Sequence, residues 1–244
     1  MKKNKTHFGF SEINIEEKEP LVKEVFSSVA SKYDLMNDIM SFGLHRLWKR
    51  YIAADIAIKD NDHILDLAAG SGDLSILFKK KNPKAYVIHS DINQSMLEEG
   101  QKKIIDQGLI ISSMLINAEQ IPFPDNSFNL VSIGFGLRNM TNKQSVLNEV
   151  FRCLKPGGRI VILEFSKIHP SLEKIYDLFS FKIIPKIGKK IADDEKSYQY
   201  LAESIRVHPD QATLLQMLNE AGFYKTKYTN LSAGIVAVHS GYKS

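Results

Sequence analysis

Short apolar runs alternate with helix-period amphipathic stretches along most of this chain. The runs at about 63–68, 86–90, 111–116, 129–136 and 159–165 predict buried strands. Between them, a helix is predicted from about Asp73, another from about Ser95 to Asp106, and a third over 142–154. The third carries Val146, Leu147, Val150, Phe151 and Leu154 on one face. Pro83 cannot continue the first helix, Gly108 closes the second, and the KPGG stretch at 155–158 predicts the turn into the fifth strand. A helix over about 210–220 stops at Gly222. Two last strands, about 223–231 and 234–239, are joined by a turn too short for a crossover, so that pair is antiparallel. No internal repeat interrupts the pattern. Two βαβαβ halves and an antiparallel last strand predict one doubly wound α/β domain over 1–244, with its ligand at the C-terminal strand ends.

The flanking segments read differently. Residues 1–17 are polar and predict a mobile arm, followed by an N-terminal helical cap over 18–50. A helix is expected from Pro20, which suits a first turn, with Leu21, Val22, Val25, Phe26 and Val29 on one face. The stretch Tyr33 to Arg50 is dense in aromatic, Met, His and Arg residues. Residues 166–208 break the strand–helix alternation and predict a helical insert. There Ile175, Tyr176, Phe179, Phe181, Ile183 and Ile184 stand beside Lys182, Lys186, Lys189 and Lys190. Such an amphipathic basic segment suits either a helical cap on the sheet or a lid resting on anionic lipid.

Composition narrows the class. A chain of 244 residues with 43% hydrophobic content can bury a full single-domain core. One cysteine, Cys153, excludes internal disulfides and cysteine-rich metal sites, and its helical position predicts core. No secretory h-region and no run of about 20 apolar residues is visible, so a cytoplasmic location is expected, at most peripheral to a membrane. A net charge of +4 permits attraction to anionic surfaces and does not mark a nucleic-acid binder.

The chemistry concentrates at ILDLAAGSGD, residues 64–73, where an apolar strand ends in a Gly-x-Gly turn before a helix. Such a turn lets backbone N–H groups and a helix N-terminus approach a ligand closely. Twenty-one residues after Gly70, Asp91 ends the next strand, where an acid can accept both hydroxyls of a ribose. An adenosine cofactor across two strand ends follows. A nicotinamide dehydrogenase fingerprint needs a third glycine where this chain has Ser75, and the terminal hairpin fits the class I S-adenosylmethionine methyltransferase fold better. That fold is a doubly wound, seven-stranded sheet with an antiparallel last strand.

The stretches THFGF, YDLMNDIMSFGLHRLW, LDLAAGSGD, DINQSML, NAEQIPFPDNSFNLV, FGLRN, RCLKPGGRIVILEFS, YLAESIRVHPDQ and AGIVAVHSGYK, in that order, resemble the ubiquinone/menaquinone biosynthesis C-methyltransferase family. The resemblance spans nearly the whole chain. It implies S-adenosyl-L-methionine as cofactor and carbon methylation of a prenylated quinol, either demethylmenaquinol, 2-polyprenyl-6-methoxy-1,4-benzoquinol, or both. Gly70, Ser71 and Gly72 resemble the loop around the methionine part of the cofactor, Asp91 the ribose-binding acid, and Asn117 and Ala118 the pair beside the adenine. Gly134 aligns with a contact position that is often Ser. Arg138 and Asn139 are expected in catalytic roles, Arg138 stabilising a developing oxyanion and Asn139 orienting a hydroxyl. Tyr33 and His45 are expected at the ring pocket, with Met36, Met40 and Trp48 candidates beside them. Asp66 suits cofactor positioning or structural pairing equally, and His208 is expected to support a loop. No metal is required. The resemblance allows a homo-oligomer or a complex of quinone-biosynthesis enzymes. An O-methyltransferase of a small phenol and a non-catalytic quinone-binding subunit are the alternatives; a nucleic-acid methyltransferase fits poorly, because GFGLRN stands where amino-directed versions carry Asn/Asp-Pro-Pro-aromatic.

Overall fold

The computed structural model describes residues 5–183, 185, 186, 189 and 194–244. Ile184 and Lys190 of the insert lie outside the described residues, as does the side chain of Ile175. Nine strands are described: β1 (Lys5–Phe8), β2 (Ser11–Asn14), β3 (His63–Leu67), β4 (Tyr86–Asp91), β5 (Ser112–Leu115), β6 (Phe128–Gly134), β7 (Leu154–Phe165), β8 (Tyr224–Leu231) and β9 (Val236–Tyr242). The last seven form one sheet in the order β5-β4-β3-β6-β7-β9-β8. Strands β3 to β7 are parallel, β9 runs antiparallel to β7, and β8 pairs antiparallel with β9. Chain order reverses between β3 and β6, the switch point where a doubly wound sheet opens a crevice.

The helices are α1 (Ile15–Val29), α2 (Tyr33–Ser41), α3 (Leu44–Asp55), α4 (Asp73–Lys81), α5 (Gln94–Asp106), α6 (Lys143–Cys153), α7 (Glu173–Leu178), α8 (Glu195–Val207) and α9 (Gln211–Glu220). The central strands carry β-branched and Leu residues on both faces, so two cores form. One holds Ile64, Leu130, Val161 and Leu163 against α1–α4 and α8. The other holds Leu65, Val131, Ile133, Ile160 and Ile162 against α6 and α9, with Cys153 fully buried as expected.

Three expectations are corrected. Residues 5–14 are not a mobile arm but a hairpin turning at Gly9 (φ 57°). Phe8 stacks on Tyr200 of α8 at 4.2 Å, and the Phe10 N–H donates to Glu203 Oε2 at 3.1 Å. A Cβ on Gly9 would collide with Glu203. Second, α1 starts at Ile15 rather than Pro20, because Asn14 and Glu17 form a capping box ahead of it. Pro20 is therefore interior and exposed, where its missing N–H leaves one carbonyl to water. Third, KPGG does not precede the fifth strand but bulges within it. Pairing jumps from Phe128↔Leu154 to Leu130↔Arg159, and Gly157 takes φ 78°.

The insert is helical through α7, the π-helical turn Phe179–Ile183 and α8. Its outer surface shows Leu178, Ile183 and Val207 exposed. Phe42, 76% exposed at the α2–α3 corner, stacks on Phe179 at 4.9 Å, and Phe10 lies 5.9 Å from Phe181.

Candidate active site

The C-terminal end of β3 feeds the glycine loop. Ala68, Gly70 and Gly72 take φ values of 49°, 55° and 77°, a conformation that strains a residue with a Cβ and costs glycine nothing, and Asp73 opens α4. Asp91 ends β4 beside the loop. Its Oδ2 accepts the Gly70 N–H at 2.9 Å and its Oδ1 accepts the Asn93 N–H at 2.9 Å. Burial raises the Asp91 carboxyl above the ordinary carboxylate range, opposed by those two N–H groups. Each oxygen keeps a free lone pair, so the group can still accept two hydroxyls.

A crevice opens at the switch point. Of the sequence-predicted residues, Tyr33, Gly70, Asp91, Asn117, Ala118 and Asn139 line it together. Ile92, Met96, Ile116 and Phe135 give it apolar walls beside Ala118, a lining suited to a flat purine. Gly136 is required by space, and Gly70 is favoured by its positive φ. A Cβ on Gly70 would lie 3.1 Å from Met96 and 3.6 Å from the Tyr33 ring, and one on Gly136 would lie 2.6 Å from the Ala68 Cβ. Carboxylate, apolar slot and glycine floor fit an adenosine bearing a short polar tail.

Helix α1 roofs the crevice with Glu19, Val22, Lys23 and Phe26. Asn93 clasps this roof. Its Nδ2 donates to the Lys23 carbonyl at 2.9 Å and to Ser27 Oγ at 3.0 Å, while its Oδ1 accepts the Met96 N–H and caps α5. Sequence reasoning placed Val22 and Phe26 on an apolar face without seeing what that face covers, and missed Asn93, Phe135, Gly136, Met140 and Thr141.

Other expected residues stand elsewhere. Ser71 does not line the crevice; its hydroxyl donates to Asp34 Oδ1 at 2.8 Å. Asp34, Lys103, Asp73 and Lys49 continue this network at 2.5–2.6 Å. Burial opposes ionisation of Asp73, but Lys49 and Lys103 outweigh it and hold the carboxyl well below its usual range. Gly72 caps α4. Gly134 lines a smaller neighbouring cavity with Tyr33, Lys49 and Asp66, and a Cβ there would lie 2.8 Å from Leu74. The position is thus set by packing against α4.

Asp66 takes the structural role. Its carboxylate oxygens accept the Ser75 and Ser132 hydroxyls at 2.6 Å each, which explains serine where a dinucleotide fingerprint has glycine. His45 is corrected from the ring pocket. It is buried outside the crevice with Nε2 at 2.8 Å from Asp38, and burial with Lys49 lowers its pKa. Met36, Met40 and Trp48 are core, Trp48 packing on Phe135 and Phe165. His208 is buried, and neither ring nitrogen has a partner among the described residues.

Arg138, expected to stabilise a developing oxyanion, is engaged elsewhere. It is buried on the turn Leu137–Asn139 and does not line the crevice. Its Nη1 donates to Glu164 Oε1 at 2.7 Å and to the Phe135 carbonyl, and its backbone N–H donates to Glu164 Oε2 at 3.1 Å. The guanidinium thereby fixes the crevice loop after β6 to β7. Asn139 does face the crevice, and its Oδ1 accepts the Tyr200 hydroxyl at 3.1 Å.

Comparison with known proteins agrees with this geometry. The model of the ubiE/COQ5 methyltransferase family matches residues 13–243. The chain is 55% identical to the ubiquinone/menaquinone biosynthesis C-methyltransferase UbiE of Neisseria meningitidis serogroup B, over 98% of each chain. It is 53% identical to that of Methylococcus capsulatus over all of both. Among solved structures, a SAM-dependent methyltransferase from Aquifex aeolicus superposes with a TM-score of 0.64 at 16% identity, covering 89% of this chain and 98% of that one. A CurJ carbon methyltransferase gives 0.59 at 15% identity, over 82% and 54%; these two likenesses speak for the fold alone. The chain belongs to the ubiE/COQ5 methyltransferase family.

Proposed function

We propose that this methyltransferase transfers a methyl group from S-adenosylmethionine to a ring carbon of a reduced, prenylated quinone precursor. The observation that carries the reading is the shared crevice at the switch point. It brings Asp91, Gly70 and the Asn117–Ala118 corner together with Tyr33, Asn139 and Met140 in one cavity. Asp91 would hold the ribose and the apolar corner the adenine. Bound S-adenosylmethionine supplies an electrophilic sulfonium methyl.

The chain's own residues then have three tasks. They hold an aromatic ring in line with that methyl, which contributes roughly 7–11 kcal/mol through proximity. They exclude water, a task for the α1 roof and its Asn93 clasp. They also favour the ionised ring hydroxyl, since a phenol near pKa 10 is mostly neutral in water and a neutral or oxidised ring is a poor carbon nucleophile. Asn139, oriented by Tyr200, offers its amide NH₂ to a ring oxygen. Arg138 is assigned a positioning role through Glu164.

The prenyl tail needs an apolar exit. Phe10 and Phe42, each against the insert, and Leu178, Ile183 and Val207 of the insert are exposed, as are Lys182, Lys186 and Lys189. That combination suits a peripheral seat on anionic lipid. No helix among the described residues is long and apolar enough to cross a membrane.

Product analysis tests the proposal. With labelled donor, the reduced demethylated quinone should gain one methyl on carbon, and the oxidised quinone none. Labelling on oxygen would favour the phenol O-methyltransferase instead.

A further inference from the structure

Beside the crevice lies a buried cationic cluster that the roles above leave unused. Lys18 of α1 is only 4% exposed, and its Nζ donates to the Met140 carbonyl at 3.2 Å. Lys143, at the start of α6 and half-buried, donates to the same carbonyl at 3.2 Å. Met140 itself lines the crevice, as do its neighbours Asn139 and Thr141. Among the described residues, neither ammonium has a carboxylate within ion-pairing distance. The nearby acids are already engaged. Glu164 holds Arg138, and Glu119 Oε1 accepts the Thr141 and Asn142 N–H groups at 2.9 Å each. His208 also faces the cluster, and burial, followed by Lys143, lowers its pKa well below the ordinary imidazole value, so it supplies no counter-charge.

Charge is therefore unbalanced. Three cations, Lys18, Lys143 and Arg138, face two carboxylates, Glu119 and Glu164. Two ammonium groups sharing one carbonyl in a desolvated pocket repel each other. Burial, followed by Lys143, brings Lys18 down to about 8, opposed by Glu119. Burial also lowers Lys143, opposed by Glu164 and Glu119. A structural role would be served by one such lysine, or by a neutral donor, at less electrostatic cost. One further anion at the crevice wall beside Met140 would balance the cluster.

We propose that Lys18 and Lys143 supply the positive potential that ionises the acceptor's ring hydroxyl, the aryl oxyanion being the negative charge the cluster lacks. This rests on the methyl-transfer reading above. The O–H bond breaks, its electron pair stays on oxygen, and the proton leaves to solvent. The lysines are positioning residues that act through space and through the Met140 carbonyl. Arg138, already neutralised by Glu164, contributes little net field.

The test is the pH dependence of carbon methylation, measured anaerobically on reduced acceptor with wild type, Lys18→Met, Lys143→Met and Lys18→Arg. Each methionine variant should move the acidic limb of kcat upward by about one pH unit, a shift expected from removing one nearby opposite charge. The rate below that limb should fall about tenfold, with cofactor affinity by calorimetry within about twofold. Lys18→Arg should restore the limb and remove any decline near pH 8 that comes from deprotonation of Lys18. Folding is checked by circular dichroism, and Lys143→Met serves if Lys18→Met does not fold. Superimposed limbs with a pH-independent loss of rate would overturn the inference and leave the lysines structural. Wild type that never methylates carbon would instead remove the functional reading on which the inference stands.

Discussion

Replacing Asp91 with Asn separates ligand binding from folding. In the folded chain Asp91 accepts the Gly70 and Asn93 N–H groups at 2.9 Å each, leaving one lone pair per oxygen for a ribose hydroxyl. The amide keeps one acceptor oxygen and turns the other position into a donor. At least one charge-assisted hydrogen bond to the ligand is lost, worth about 1.5–3 kcal/mol. At about 1.4 kcal/mol per tenfold, affinity for S-adenosylmethionine should fall about 10- to 150-fold. Folding responds differently. Burial raises the Asp91 pKa, so its charge costs the folded state stability at neutral pH. The amide removes that cost while facing one N–H with its NH₂, and the unfolding free energy from urea titration should stay within about 1 kcal/mol of wild type. Calorimetric titration with S-adenosylhomocysteine and urea unfolding read the two quantities separately. Affinity within threefold of wild type, with an intact fold, would refute the assignment of Asp91 to the ribose.

Three further outcomes are expected. Glu164→Gln leaves the buried Arg138 guanidinium without its counter-charge and should destabilise the fold by about 3–5 kcal/mol, read by urea unfolding; a loss under 1 kcal/mol would contradict the pairing. The depressed pKa of Asp73 contributes stability above the unfolded carboxylate value, which is lost as pH falls through the folded one. The stability gap between wild type and Asp73→Asn should therefore be full at pH 7 and shrink toward pH 3; a gap constant over that range would refute the linkage. Replacing Lys182, Lys186 and Lys189 together with Glu should weaken co-sedimentation with anionic vesicles at least about tenfold and abolish its salt sensitivity. Unchanged, salt-insensitive binding would remove the membrane seat.

Much of the architecture was legible because its determinants are local. The strands at Ile64, Leu130 and Val161 are apolar runs, and Gly108 and Gly222 stop helices wherever they stand. What stayed hidden depends on register or docking. The hairpin at 5–14 has little apolar content of its own and is held by Phe8 on Tyr200 and Phe10 on Glu203, nearly two hundred residues away in sequence. Glu164 carries no motif. It meets Arg138 because β6 and β7 pair Gly134 with Leu163, which places both residues at adjoining strand ends.

The site divides along the same line. Gly70 and Asp91 announce themselves by spacing from a strand end. Ser75 departs from a dinucleotide fingerprint, and only the fold shows its hydroxyl on Asp66. Lys18 and Lys143 look like ordinary surface lysines in sequence, and only the fold brings both ammonium groups to one carbonyl. The tertiary structure thus adds the electrostatics of the site more than its location.

Everything turns on what fills the switch-point crevice. A crystal of the protein soaked with S-adenosylhomocysteine and a demethylated quinol analogue should show both ribose hydroxyls on the Asp91 carboxylate, the purine against Ala118, and the quinol ring between Tyr33 and Asn139. Nucleoside density away from Asp91, or a crevice that takes a nicotinamide dinucleotide in its place, would contradict it.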